Sequence, residues 1–116
     1  HGAVFARRVF GPAEQAALGL PLAEEEGTAR RTAHTVASAA ADFAAKEAFL
    51  KAAGTGLREP FSLCEIEAVR LPGGAPAYHF SGRSAQWVEA RRLRAHLSLS
   101  HEDGMAMAYC ILETET

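Results

Sequence analysis

The chain has 116 residues, 48% of them hydrophobic and 22% charged, which is typical of one globular domain and excludes disorder or a disulfide-stapled miniprotein. The formal net charge of -2 lacks the basic excess that nucleic-acid binding demands. No stretch is long and apolar enough to cross a bilayer as a helix, and no apolar export signal follows a basic start.

The two cysteines indicate a reducing compartment. Cys64 and Cys110 form no CxxC or metal-ligand pattern, so we expect buried, reduced thiols rather than a disulfide or a zinc site. We therefore expect a cytoplasmic protein whose residues 1–116 form a single domain.

The first half of the chain predicts two helices separated by a loop. Pro12 at a first helical position, with Glu14 behind it, predicts a short helix that ends near Leu18. Gly, Pro and an acidic run predict a loop over residues 19–27. Residues 28–53 are rich in alanine and contain neither Gly nor Pro, so they predict one long helix closed by Gly54.

The second half predicts two β-hairpins around a third helix. The first strand is indicated by an alternation in which Cys64, Ile66 and Ala68 face the core and Glu65 and Glu67 face solvent. The later elements are a Pro-Gly-Gly turn at 72–74, a returning strand through Tyr78 and Phe80, a helix over 83–95, a strand over 96–100, a turn over 101–104 and a strand over 105–113. This order predicts an α+β fold with helices packed on a mainly antiparallel sheet.

The most informative segment is residues 43–57, FAAKEAFLKAAGTGL. Glu47 and Lys51 lie one turn apart on the same helix face. One interpretation is an exposed ion pair that contributes roughly 0.2–0.5 kcal/mol. The other is a functional pair, because charges among apolar neighbours are costly unless something compensates them. The residues alone leave both interpretations open.

This segment resembles the Phe-Ala-x-Lys-Glu-Ala-x-x-Lys-Ala-x-Gly-Thr-Gly signature of the holo-acyl-carrier-protein synthase family, which are small 4′-phosphopantetheinyl transferases. The resemblance continues along the chain in the family's order, at Arg8-Val9-Phe10 with Pro12-Ala13-Glu14, at Gly74-Ala75-Pro76, and at His96 to His101 with Ala106 and Ala108. It implies transfer of 4′-phosphopantetheine from coenzyme A to a serine of apo acyl carrier protein, with release of 3′,5′-ADP.

The same resemblance implies roles for individual residues. Glu47 is implied as the ligand of a Mg²⁺ ion that bridges to the coenzyme A pyrophosphate, and Lys51 as the group that holds the phosphate and the departing 3′,5′-ADP. Removal of the serine proton is left open between Glu47 and a water on the metal. Further residues implied to line the nucleotide are Gly54, Thr55, Pro76, Ser100 and His101.

Two departures from the family pattern bear on activity. The family begins with a strand that carries Gly-x-Asp, whose aspartate is the other main metal ligand, and we expect this N-terminal strand to be missing from the chain. Asp42 stands where the family usually has an arginine for the 3′-phosphate, and a carboxylate repels an anion. Candidates to compensate are Arg30, Arg31 and Arg83. These departures favour the alternative, a non-catalytic family-derived module that binds carrier protein or coenzyme A.

The resemblance also implies an assembly. Family members of this size place their sites between neighbouring subunits, so a homotrimer is implied. Arg7 and Arg8 are candidates to dock an acidic acyl carrier protein by complementary charge.

Overall fold

The computed structural model describes the backbone of residues 8–18 and 29–115, and the side chains of residues 8–18 and 37–115. The predicted loop at 19–27, and the expected absence of a strand ahead of the first helix, lie outside these described residues. The elements are α1 (Pro12–Leu18), α2 (Ala29–Ala53), a 3₁₀ turn (Leu63–Glu65), β1 (Ile66–Arg70), β2 (Pro76–Phe80), α3 (Gly82–Ala90), β3 (Leu93–Glu102) and β4 (Met105–Thr114). The strands pair antiparallel as β1–β2 and β3–β4, which confirms the predicted α+β class.

Helices α1 and α2 follow the sequence pattern. Helix α1 begins at Pro12 and ends at Leu18 as predicted. Helix α2 ends at Ala53 because Gly54 adopts φ 78°, a left-handed conformation that glycine takes at little cost. The Gly54 N–H donates to the carbonyl oxygens of Leu50 and Lys51, both at 3.1 Å. This cap fixes the end of the helix that carries Glu47 and Lys51.

The first hairpin differs from its predicted alternation. Strand β1 begins at Ile66, since Leu63–Glu65 form a 3₁₀ turn, and its register runs from Ile66 opposite Phe80 to Arg70 opposite Pro76. Glu67, expected to face solvent, is buried. Its carboxylate accepts the backbone N–H of Glu14 at 3.0 Å and fills the space beside Gly11, where a Cβ would lie 2.3 Å from Glu67 Cδ. A buried hydrogen-bond acceptor therefore overrides the apolar-polar alternation.

The predicted helix over 83–95 is wrong at its C-terminal end. Helix α3 stops at Ala90, Arg92 takes φ 53°, and the Arg92 N–H donates to the Glu89 carbonyl at 3.0 Å. Strand β3 then begins at Leu93, because alternate residues from Leu93 onward face inward with the period of two that a strand requires.

The predicted turn over 101–104 is shorter in the structure. Asp103 and Gly104 alone form it, with φ values of 52° and 75°, as Asp-Gly does in two-residue hairpin turns. His101 pairs with Ala106 and Glu102 with Met105, so both belong to the strands. His101 therefore lies on β3 beside Ser100 rather than in the turn.

Aromatic side chains hold α2 against the sheets. Phe49 is fully buried, and its ring meets those of Phe61, Tyr78, Phe80 and Trp87 at centroid distances of 4.9–6.5 Å. The Tyr78 hydroxyl donates to the Ala45 carbonyl at 2.6 Å. These contacts fix the rotation of α2 and leave Glu47 and Lys51 outside the core. None of the helices in the described part of the chain has the length and apolar character that a membrane span requires.

Candidate active site

The candidate catalytic groove lies between α2 and β4 and has a volume of about 450 Å³. Glu47 and Lys51 stand on its helical wall, where the intervening positions Ala44, Ala48 and Ala52 keep the groove open because their side chains are small. The opposite wall is formed by Ala108, Tyr109 and Cys110 of β4. The structure thus brings the two principal predicted site residues into one groove.

Both charged groups of this groove are available to a ligand. Glu47 and Lys51 are exposed, and across residues 8–18 and 37–115 neither side chain joins an ion pair or a hydrogen bond. The interpretation as a mutual ion pair is therefore wrong for the described residues. An unpaired carboxylate and an unpaired ammonium at 47 and 51 can bind a cation and an anion at the same place.

The donor set fits a Mg²⁺ ion that is shared with a substrate phosphate. Within the described ranges no group of three or more His, Cys, Asp or Glu side chains could hold a metal ion alone. Mg²⁺ keeps several waters and commonly binds through one or two carboxylates plus substrate phosphates, so a single exposed carboxylate beside a lysine suits it. Glu47 is the residue of this groove that would hold it.

Gly54 and Thr55 follow directly on the helix that carries Glu47. The Thr55 hydroxyl donates to the Gly56 carbonyl at 2.9 Å, and Gly54 and Gly56 both have positive φ. Two left-handed glycines around Thr55 produce a turn directly after the helix. Among the described residues, Gly54 and Thr55 do not line the groove of Glu47 and Lys51, so their nucleotide-binding role stays a prediction.

The remaining predicted nucleotide residues lie elsewhere in the chain. His101 lines a second pocket of about 610 Å³, whose wall also includes Ser38, Asp42 and Arg70. Pro76 is paired with Arg70 in the first hairpin, and Ser100 with Met107 in the second. Within one chain, Pro76, Ser100 and His101 are therefore not part of the groove that contains Glu47 and Lys51.

Asp42 is the unusual charge in this second pocket. Its side chain is 6% exposed and makes no ion pair or hydrogen bond with any residue that the structure describes. Burial and the nearby Glu14 carboxylate raise the Asp42 pKa to about 7, against the attraction of Arg70 and Lys46. Once ionised, the Asp42 carboxylate therefore opposes the binding of a phosphate dianion in this pocket, against the attraction of Arg70.

Of the arginines expected to compensate for Asp42, the structure tests Arg83, and that residue does not do so. Arg83 lies on the surface, 3.5 Å from Glu59, and does not line the pocket. The side chains of Arg30 and Arg31 fall outside the described residues. Arg70, which the sequence did not single out, attracts the Asp42 carboxylate more strongly than Lys46 does.

A buried ionic cluster behind the site was missed by the sequence analysis. Lys46 Nζ lies 2.5 Å from Glu14 Oε1 and also donates to the carbonyls of Leu63 and Ile66 at 3.0 and 2.6 Å. Glu14 in turn accepts the backbone N–H groups of Gly11 and Ala68. Burial raises the pKa of Glu14 and lowers that of Lys46, while their mutual attraction opposes both shifts.

This cluster had a signal in the sequence. Lys46 sits among Ala45, Phe49 and Leu50, all buried, and a lysine in such a setting requires a buried acid as partner. Glu14 was interpreted only as part of the start of the first helix. The cluster ties α1, α2 and β1 together and so holds Glu47, the next residue along α2, toward the groove.

Asp42→Asn is expected to stabilise the protein at high pH. A carboxyl group whose pKa is raised by folding stabilises the fold fully below its unfolded pKa near 3.9, and that contribution is lost as the pH rises toward about 7. Removing the charge should therefore raise the free energy of unfolding by about 2–4 kcal/mol at pH 8 and change it little at pH 4. Urea denaturation followed by circular dichroism at both pH values measures this.

The matched control is Glu59→Gln, which removes a carboxylate from the surface pair with Arg83. Its pH profile should follow that of the unmodified protein. Parallel profiles for Asp42→Asn and the unmodified protein would show that Asp42 is ionised and solvated in the folded state.

Comparisons with known proteins agree with this architecture. Residues 1–110 match the family model described as the 4′-phosphopantetheinyl transferase superfamily. The chain is 40% identical over 114 residues to a holo-[acyl-carrier-protein] synthase of Bordetella pertussis, covering 97% of this chain and 70% of that protein. It is 39% identical over 111 residues to the corresponding protein of Leptothrix cholodnii, covering 96% of this chain and 80% of that one.

Solved structures give the same result at the level of the fold. The crystal structure of holo-[acyl-carrier-protein] synthase from Neisseria meningitidis matches with a TM-score of 0.75 and 28% identity, over 97% of this chain and 82% of that one. The synthase from Bacillus anthracis, solved in complex with CoA (3′,5′-ADP), matches with a TM-score of 0.67 and 29% identity, over 97% of this chain and 82% of that one.

Proposed function

This chain belongs to the holo-acyl-carrier-protein synthase family within the 4′-phosphopantetheinyl transferase superfamily, and we propose that it transfers 4′-phosphopantetheine from coenzyme A to a serine of an apo acyl carrier protein. Residues 1–116 act as a single transferase domain, which the match over residues 1–110 supports. A cytoplasmic setting is part of the proposal, supported by the free thiols of Cys64 and Cys110.

The reaction is a displacement at phosphorus. The serine oxygen of the carrier protein forms a bond to the phosphorus that bears pantetheine, the bond from that phosphorus to the 3′,5′-ADP oxygen breaks, and the serine proton is released. A Mg²⁺ ion at this site would supply positive charge to the pyrophosphate oxygens. Glu47 is the carboxylate of the groove that would hold it.

Lys51 acts on the leaving group. Its ammonium group stands one helical turn from Glu47, on the same wall of the groove and without an anionic partner in the described chain. A flexible, compact cation is suited to follow negative charge as it moves onto the departing 3′,5′-ADP. The observation that carries the proposal is this unpaired Glu47 and Lys51 in one groove, in a chain with the family's fold.

A homotrimer is part of the proposal. One face of β4 exposes four large apolar side chains in a row, those of Met105, Met107, Tyr109 and Ile111. A row of this kind is typical of a surface that another protein covers. A trimer would also bring together the predicted site residues. Pro76, Ser100 and His101 lie away from Glu47 in one chain, and in a trimer they would reach the groove of a neighbouring subunit.

Tyr109→Arg is expected to dissociate the trimer. Tyr109 lies at the centre of the apolar row and is 63% exposed in the isolated chain, so the change does not disturb the core. Burying an arginine without a partner at an interface is costly. The molar mass measured by analytical ultracentrifugation should therefore fall from that of a trimer toward that of a monomer. A trimer that persists in Tyr109→Arg would contradict this assignment of the surface.

Arg8→Glu, an exposed change on another surface, should leave the assembly intact and instead weaken the use of an acidic carrier protein. Arg7, the second candidate for carrier docking, lies outside the described residues.

The transfer assay tests the function itself. The protein is mixed with coenzyme A, Mg²⁺ and an apo acyl carrier protein, and the carrier is weighed by mass spectrometry. An increase by one phosphopantetheine group is expected, with 3′,5′-ADP as the second product. No increase would refute the catalytic proposal.

A second candidate is favoured by Asp42. Its carboxylate shares a pocket with His101 and, once ionised, opposes the 3′-phosphate contact that the family makes there, which fits a module that binds carrier protein or coenzyme A without transferring phosphopantetheine. Calorimetry with coenzyme A separates the two candidates. Binding that does not depend on Mg²⁺, together with an unchanged carrier mass, would support the module.

A further inference from the structure

A second groove meets the catalytic groove at Glu47 and Lys51, which line both. Its volume is about 210 Å³, and the rest of its wall consists of apolar side chains and one glycine, namely Phe43, Leu50, Gly56, Leu57 and Leu63. The two charged side chains therefore form a ridge with a mixed groove on one side and an apolar groove on the other.

The apolar groove is a built feature of the fold. Leu50 belongs to the buried core, and Phe43 and Leu63 pack against the cluster of Val9, Phe10 and Leu18. Leu57 forms the open rim and is 58% exposed, held there by Gly56 at φ 65°. Its floor is fixed by core packing, while the rim is free to contact a ligand.

A substrate held by its pyrophosphate at this ridge extends in two directions. The nucleotide end carries many hydrogen-bonding groups, which the side chains of the apolar groove could not satisfy. The other end begins with an oxygen, a methylene and then a quaternary carbon with two methyl groups, the dimethyl part of the pantoic unit. This bulky apolar group comes within three bonds of the transferred phosphorus, so a groove directly beside Glu47 and Lys51 can reach it.

We propose that the groove of Phe43, Leu50, Leu57 and Leu63 binds the dimethyl group of the phosphopantetheine arm and so positions the phosphorus for attack. This inference rests on the proposed function and adds a specificity element to it. When the methyl groups are bound in the groove, rotation about the phosphate ester is restricted. One face of the phosphorus is then presented to the incoming serine.

The test compares coenzyme A with an analogue that lacks the two methyl groups, using the full chain with Mg²⁺ and carrier protein. We expect the unmodified protein to lose about tenfold to fifteenfold in kcat/KM with the analogue, since each buried methyl-sized group contributes about 0.8 kcal/mol and the analogue lacks two. In Leu57→Ser this discrimination should fall to about twofold, while inhibition by 3′,5′-ADP, which lacks the arm, stays unchanged.

Leu71→Ser is the matched control, because Leu71 is 51% exposed in the first hairpin and lies outside the groove. It should keep the full discrimination. Equal use of the two substrates by the unmodified protein, or full discrimination in Leu57→Ser, would overturn the inference. The affinities of coenzyme A and of the analogue without the methyl groups are measured by calorimetry in parallel. A protein that binds coenzyme A but transfers nothing would refute the proposed function. The two affinities would then still show whether the groove binds the methyl groups.

Discussion

Replacing Lys46 by methionine is expected to lower the free energy of unfolding by about 3–5 kcal/mol. The ammonium group is fully buried, 2.5 Å from Glu14 Oε1, and satisfies the carbonyls of Leu63 and Ile66. Its loss leaves the Glu14 charge buried without a counterion and two carbonyls without a donor. Urea denaturation at a fixed protein concentration measures the change, since association contributes to apparent stability.

Two variants control this result. Arg94→Met removes the cation of an exposed pair with Glu115 at 3.1 Å and should cost less than about 1 kcal/mol. The double variant Glu14→Gln with Lys46→Met removes both charges and keeps one amide oxygen, which can accept from either Gly11 N–H or Ala68 N–H but not replace both carboxylate oxygens, so it should recover part of the loss. A loss in Lys46→Met no larger than that in Arg94→Met would contradict the buried ion pair.

The cluster explains which parts of the fold could be predicted from sequence. Local chemistry was sufficient at Gly54, which ends α2, and at Asp103-Gly104, which form the second hairpin turn. In both cases the residue type itself prefers the backbone conformation that the structure needs. Such signals act within a few residues and require no knowledge of distant contacts.

The errors arose where a distant partner decides the outcome. The alternation predicts that Glu67 faces solvent. Its carboxylate is buried instead, because it accepts a hydrogen bond from the backbone N–H of Glu14, 53 positions earlier. The end of α3 at Ala90 depends on the competition between continuing the helix and pairing Leu93 with Thr114. Neither outcome can be derived from residues within one turn of the position concerned.

The candidate site also has features that local sequence predicts and features that depend on distant contacts. The spacing of Glu47 and Lys51 predicted a shared face, and the structure places both on one groove wall. Their freedom from a mutual ion pair, and the separation of His101 into the Asp42 pocket, depend on side-chain placement and strand register. The apolar groove beside them could not be anticipated, because Leu57 joins Phe43 and Leu63 only through the turn at Gly54 and Gly56.

Glu47→Gln is expected to lower kcat/KM for phosphopantetheine transfer by about 10²- to 10³-fold. Among the described residues that line the groove, Glu47 is the carboxylate suited to Mg²⁺, and a neutral amide oxygen binds a hard dication more weakly. Because Glu47 is exposed and has no partner in the described chain, the unfolding free energy should stay within about 0.5 kcal/mol of the unmodified value. The loss is measured from initial rates of carrier modification.

The dependence on metal concentration separates a ligand from a merely nearby charge. A weakened Mg²⁺ site should need a higher ion concentration for half-maximal rate, so part of the Glu47→Gln defect should be restored as Mg²⁺ is raised. Glu59→Gln, a surface change at a side chain that is 87% exposed, should show neither the defect nor the altered metal dependence. An unchanged rate in Glu47→Gln, or a defect that no Mg²⁺ concentration alters, would contradict Glu47 as the metal ligand and move the search for that carboxylate to another residue.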